Sequence, residues 1–243
     1  MILLLLLIAP AAWFARRGAT RMDYFHVRTI EVEGAYYLDP ATVVERLGLD
    51  TMRSVWDDNA LLVTRLKTLP QIAGATITRK LPGTLVVRVT ENLPVALSPS
   101  PRGLEAVDSA GVVLPIDPTS ADLDLPIALQ RDASMLALLG ALRSSDALLF
   151  NRISEIGREG RDEIVLLLDR RESGALTPAD SVADSVAFAA SASRQGLRVR
   201  AMMGVSVLRL ADIFPVESDL LRRRANVAEL DLRYRDQVIA RLQ

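Results

Sequence analysis

From Val27 to Thr90 the spacing of apolar residues switches from period two to a helical repeat and back. Along VRTIEVEG, Ile30 and Val32 point one way while Thr29, Glu31 and Glu33 point the other, which predicts a half-buried strand ended by Gly34. Asp39-Pro40 is a helix start, with Asp as N-cap and Pro in the first turn. Val43, Val44 and Leu47 supply its apolar stripe, and Gly48 stops it. A second helix begins near Asp57 or Asp58, carries Leu62, Leu66 and Leu69 inward and closes at Pro70. Two strands follow. Ala75 and Ile77 alternate with Thr76 and Thr78, Leu81-Pro82-Gly83 turns, and Leu85, Val87 and Val89 alternate with Val86, Arg88 and Thr90. A β-α-α-β-β order over about 70 residues predicts a small α+β unit with its helices on one sheet face and an open sheet edge.

Beyond it the pattern predicts a second, mixed α+β domain with an antiparallel-rich sheet. Ser98 to Gly103 reads as a stiff polar connection, and Leu104–Val107 with Gly111–Pro115 as a hairpin around Asp108-Ser109-Ala110. After a Pro- and Asp-rich loop, Ser134 to Leu149 has helical spacing through Leu138, Leu139 and Leu142. Ile153–Gly157 and Glu163–Leu168 form another hairpin. Residues 170–196 are Ala- and Ser-rich, with a helix start at Thr177-Pro178. A strand at Leu197–Ala201 precedes a helical stretch, Val205 to Arg224, that Pro215 kinks or restarts. Arg222, Arg223 and Arg224 fall in its last turn, as expected of a charged helix end. Val227 to Leu242 predicts two strands around Tyr234-Arg235-Asp236, with Leu230, Leu232 and Tyr234 on one face.

At the other end, Met1 to Ala15 is continuously apolar and is followed by Arg16 and Arg17. A spanning helix needs about 20 apolar residues. This run reads as a membrane anchor, with a cleaved signal as the alternative, and Trp13 and Phe14 suit an interfacial belt. The expected layout is an anchor at 1–15, a juxtamembrane linker at 16–26, a first domain at 27–97 and a second at 98–243.

Charge and chemistry narrow the function mainly by exclusion. A formal net charge of −1 over 243 residues offers no footprint for nucleic acid. The chain has no cysteine, so thiol catalysis, disulfides and cysteine metal sites are excluded, and its single histidine is His26. No P-loop, G-x-S-x-G or H-E-x-x-H motif occurs. The acid pairs Asp57/Asp58 and Asp162/Glu163 fall in caps and turns. No enzymatic activity, cofactor, metal or small-molecule substrate is expected; function must come from contacts.

Four stretches of the first domain resemble a POTRA domain: Ile30–Gly34, Leu69–Ile72, Ala75–Pro82 and Val87–Glu91. The ending Glu91-Asn92-Leu93-Pro94-Val95-Ala96 resembles the E-x-x-P-V-A of the FtsQ/DivIB division proteins. AVDSAGVVLP is similar to the hairpin that follows the POTRA unit there, and Glu229–Tyr234 with Gln237–Arg241 is similar to the C-terminal signature of FtsQ. The 170–196 segment has no counterpart. The resemblance implies a single-pass inner-membrane protein, its bulk extracytoplasmic, that joins the division complex at the septum and binds FtsB and FtsL through its C-terminal β-domain. An edge strand can be extended by a partner strand. The candidate edge comprises Arg233, Tyr234, Gln237, Val238, Ile239, Ala240 and Arg241. The same resemblance implies that the POTRA neighbourhood of Ile77 and Arg79 contributes to recruitment of other division proteins. The plainer alternatives are solvated strand-end charges at Arg79 and Lys80, a Tyr234 that only closes its hairpin, and an Arg233 paired with Asp231 or Glu229. A POTRA-bearing docking or chaperone module of secretion or outer-membrane assembly is the competing function.

Overall fold

The computed structural model describes residues 23–49, 53–169, 196–225 and 227–242. The expected anchor and most of the linker, and nearly all of the 170–196 segment, lie outside the described residues. Among the described residues no helix is long and apolar enough to cross a membrane. The chain divides after Asn92 into two units.

The first unit runs β1 (Thr29–Glu33), α1 (Pro40–Leu47), α2 (Ala60–Leu66), β2 (Ile72–Lys80) and β3 (Thr84–Glu91). Its sheet has the order β1-β3-β2, with β1 parallel and β2 antiparallel to β3. The β-α-α-β-β expectation thus matches, and β2 begins at Ile72, earlier than the period-two run suggests, because a register shift separates Ile72 from Gly74. Val43 and Leu47 of α1 and Leu62 and Leu66 of α2 are buried with Leu85, Val87 and Val89 of β3, which makes the central strand the floor of the core. The Asp39 carboxylate accepts the Ala41 N–H at 2.9 Å and so starts α1, and Gly48 ends it with φ 53°. At Gly34 (φ 82°) a Cβ would lie 2.3 Å from the Val89 carbonyl oxygen, so only glycine fits between the end of β1 and β3. The Glu91 carboxylate accepts the backbone N–H groups of Tyr36, Tyr37 and Leu38 at 2.8, 3.0 and 3.0 Å. That fixes the loop entering α1 to the end of β3.

The second unit is an eight-stranded sheet with helices. Its elements are β4 (Ala96–Ser100), β5 (Gly103–Val107), β6 (Ile127–Ala128), α3 (Ala133–Ser145), α4 (Ala147–Phe150), β7 (Ile153–Glu159), β8 (Glu163–Leu168), β9 (Leu197–Met202), α5 (Val207–Ala211), α6 (Ile213–Arg222), β10 (Val227–Asp231) and β11 (Ile239–Leu242). The order is β11-β10-β9-β8-β7-β6-β4-β5. Pairings are antiparallel except β4–β6, β6–β7 and β9–β10. Ile164, Leu166 and Leu168 of β8, Leu197, Val199 and Ala201 of β9, and Leu230 of β10 share one core with Met135, Leu136, Leu139 and Leu142 of α3 and with Leu210 and Ile213. The helices therefore cover one face. The alternate residues, Glu163, Arg198, Arg200, Glu229 and Asp231, lie on the other.

Four expectations need correcting here. Val95 and Ala96, placed at the end of a 27–97 domain, are buried in the second unit's core. Ser98 to Arg102 is no connection: β4 runs Ala96–Ser100 and pairs with β5, from Ala96↔Val107 to Ser100↔Gly103. Pro99 is tolerated because β6 reaches only Leu97, so β4 has one neighbour from there on and the missing N–H spoils no ladder. The hairpin expected at 108–110 survives as a single Val107↔Val113 bridge, with the Asp108 carboxylate accepting the Ala110 and Val112 N–H groups. The two long helices are each broken by an aspartate. Asp146 accepts the Leu149 N–H at 3.0 Å and starts α4. α6 restarts after Asp212, so Pro215 falls in its first turn, where an absent N–H leaves no bond unmade.

Candidate partner-binding edge

β11 is the outermost strand of the sheet and pairs with β10 alone: Val227↔Leu242, Glu229↔Arg241, Leu230↔Ala240 and Asp231↔Ile239. Its other side is an edge among the described residues. Val238 and Ala240 pack against the core, so Ile239 and Arg241 stand on the opposite, charged face. Ile239 is 40% exposed and Leu242 61%. The strand thus joins a buried inner row to an accessible outer one.

The outer face beside it is a cross-strand ion network. Arg198 contacts Glu159 at 3.1 Å and Glu229 at 3.7 Å, and Arg200 contacts Glu163 at 2.9 Å and Glu159 at 3.3 Å. Arg241 approaches Glu229 at 3.5 Å. Arg233 bridges the tightest part: its Nε and Nη2 donate to Asp231, the shortest at 2.6 Å, and its Nη1 donates to Glu163 at 2.7 Å. These hydrogen bonds from Arg233 hold the Asp231 and Glu163 carboxyls below the usual carboxylate range against the opposing pull of burial, and the two carboxylates in turn raise the guanidinium. Arg233 pairs with Asp231, one of its two plainer partners, and with Glu163, a residue 70 positions away at the start of β8 that the sequence pattern offered only as half of an acid pair in a turn.

The remaining candidates divide. Tyr234 does not share the buried face of Leu230 and Leu232; it stands in the β10–β11 turn with 46% of its surface exposed. Gln237 is exposed in the same turn. The carbonyl oxygens of Tyr234 and Gln237 both accept from Arg209 Nη2, at 2.6 and 2.9 Å. In the first unit, Ile77 is half-buried and packs on the core. Arg79 is exposed but tethered: its Nε donates to the Val55 carbonyl at 2.6 Å and its Nη2 to that of Asp57 at 3.2 Å. Lys80 pairs with Glu31 at 2.8 Å. Among the described residues no group of His, Cys, Asp and Glu is arranged to hold a metal ion.

A β-α-α-β-β unit with β1 parallel and β2 antiparallel to β3 has the architecture of a POTRA domain, and a large sheet with helices on one face follows it in the chain. The model for the POTRA domain, FtsQ-type, matches residues 25–92. The cell division protein FtsQ of Novosphingobium aromaticivorans is 35% identical over 91 residues, 37% of this chain and 28% of that protein, so the match spans little over a quarter of that relative. FtsQ of Corynebacterium glutamicum is 25% identical over 179 residues, 71% of this chain and 78% of its own length. The major extracytoplasmic domain of DivIB from Geobacillus stearothermophilus, solved as its trans isomer, aligns at 17% identity over 32% of this chain and 72% of that chain, with a TM-score of 0.26. Residues 25–92 thus carry an FtsQ-type POTRA domain, and the chain as a whole is similar to cell division proteins of the FtsQ/DivIB family.

Proposed function

We propose that this protein is a non-enzymatic, membrane-anchored scaffold of the division machinery. It sits in the inner membrane as a single-pass protein, holds its bulk on the extracytoplasmic side, and links early and late division proteins at the septum. Its second unit captures FtsB- and FtsL-like proteins by accepting a strand on β11. The observation that carries this reading is the position of β11, outermost in the sheet and paired on one side only. Main-chain hydrogen bonds along such an edge give affinity, and the alternating side chains give register. Val238 and Ala240 anchor the edge to the core, Ile239 and Arg241 face the incoming strand's outer row, and Arg233, Tyr234 and Gln237 shape the turn that leads into it. The POTRA unit recruits other division proteins through the β2 neighbourhood, where Ile77 holds the strand to the core and Arg79 fixes the loop at Val55 and Asp57.

Deleting Asp236 to Gln243 removes the edge, and capture of FtsB- and FtsL-like proteins in co-purification is then lost while the POTRA unit stays folded. Undiminished capture by the shortened chain would sink strand addition at β11. Septal localisation of a fluorescent fusion separates this function from a docking role in secretion, which predicts no concentration at mid-cell.

A further inference from the structure

β11 is poorly equipped to hold itself in place. It has four residues, Ile239, Arg241 and Leu242 are exposed, and its register with β10 shifts between Val227 and Glu229. A strand with so little buried surface opens readily unless something outside it fixes its entry. The turn that delivers it, between Leu232 and Ile239, is gripped from the helix side by Arg209.

Arg209 is well placed for that work. It lies in α5, which Leu210 anchors by complete burial and whose first turn Ser206 caps by accepting the Arg209 N–H at 3.2 Å. Its side chain is 20% exposed, and the guanidinium donates through Nη1 to Asp212 at 2.6 Å and through Nη2 to the carbonyls of Tyr234 and Gln237. Those two carbonyls bracket the tip of the turn, so one side chain sets both its entry and its exit. Asp212 on the other side orients the fork. The planar guanidinium spreads its donors over two nitrogens, Nη1 toward Asp212 and Nη2 toward the two carbonyls; a lysine ammonium has three donors but all on one nitrogen, without the fork. Arg233 holds the start of the same turn from the outer face, through Asp231 and Glu163.

We infer that Arg209 is a positioning residue for partner capture: it holds the β10–β11 turn so that β11 is presented as an extended edge. The inference rests on the strand-addition reading above. A binding edge ordered in only a fraction of molecules lowers apparent affinity by that fraction. Arg209 therefore governs affinity without touching the partner.

The test uses the full chain, its Arg209→Met and Arg209→Lys variants, and the Asp236–Gln243 deletion. The FtsB- and FtsL-like proteins of the same bacterium serve as the probe. Amide hydrogen exchange without the probe and affinity for it are both measured. In Arg209→Met, exchange at residues 239–242 approaches that of an open strand, amides of β7 to β9 keep their protection, and affinity falls roughly tenfold as the ordered fraction of the edge drops to about a tenth. Arg209→Lys falls between Arg209→Met and the parent. Unchanged exchange at 239–242, or faster exchange with undiminished affinity, overturns the inference. Should Arg209→Met loosen the whole second unit, Arg209→Lys decides: parental exchange and affinity in that variant also overturn it. Full capture by the deletion chain would instead overturn strand addition itself. Loss in the deletion but not in the Arg209 variants would overturn only the role of Arg209.

Discussion

Asp231 is a carboxylate whose side chain is 5% exposed, in contact with Arg233 at 2.6 Å. Arg233 is what makes that burial tolerable, because an ionised carboxylate away from water must be paired or protonated. Both Asp231 and Glu163 have carboxyls held below the usual range, chiefly by their hydrogen bonds to Arg233. A depressed folded value means stability that is fully present above the unfolded value, near 4, and lost as pH falls through the folded one. The second unit should therefore hold constant stability from this cluster between pH 7 and about 5 and lose it below about 4. Arg233→Met should lower the melting temperature at pH 7 and flatten the slope below pH 4. Thermal melts of parent and variant across that range check both. A steep acid slope retained in Arg233→Met would place the sensitivity elsewhere. In the first unit, Glu91 accepts three consecutive backbone N–H groups. Glu91→Ala strands those donors and should cost about 2 kcal/mol, measured as a shifted urea midpoint for the POTRA transition. A loss within error of zero would mean that water replaces the carboxylate.

At the level of elements, most of the POTRA unit could be read from the sequence because its signals are local. Asp39-Pro40 caps α1, Gly48 stops it, and the alternation of Leu85, Val87 and Val89 marks β3 as a strand with one buried face. In the second unit the local signals mislead where tertiary pairing decides. Pro99 and its flanking serines look like a linker, yet β4 forms because Ala96, Leu97 and Ser98 are buried between neighbours. Asp146 and Asp212 interrupt helices that a spacing of leucines would continue. The candidate edge itself was legible, since a period-two run closes the chain. Its supports were not. Arg209 reaches a turn 25 and 28 residues away, and Arg233 reaches Glu163 across 70. No spacing rule connects such pairs; only the order of strands in the sheet brings them together.

Over the whole molecule, the two units carry separate cores, one built on β3 and one on the face of β8 to β10. A net charge of −1 gives the chain little long-range steering, which agrees with the proposed short-range pairing at β11. Two separate cores are what the proposed scaffold requires, and among the described residues β11 keeps one side unpaired. The most direct test is hydrogen exchange of the full chain with and without FtsB- and FtsL-like partners. The account predicts that amides of β11, residues 239–242, gain protection on binding, as outward-facing groups acquire strand partners. Binding that leaves β11 exchange unchanged while protecting another surface would contradict it.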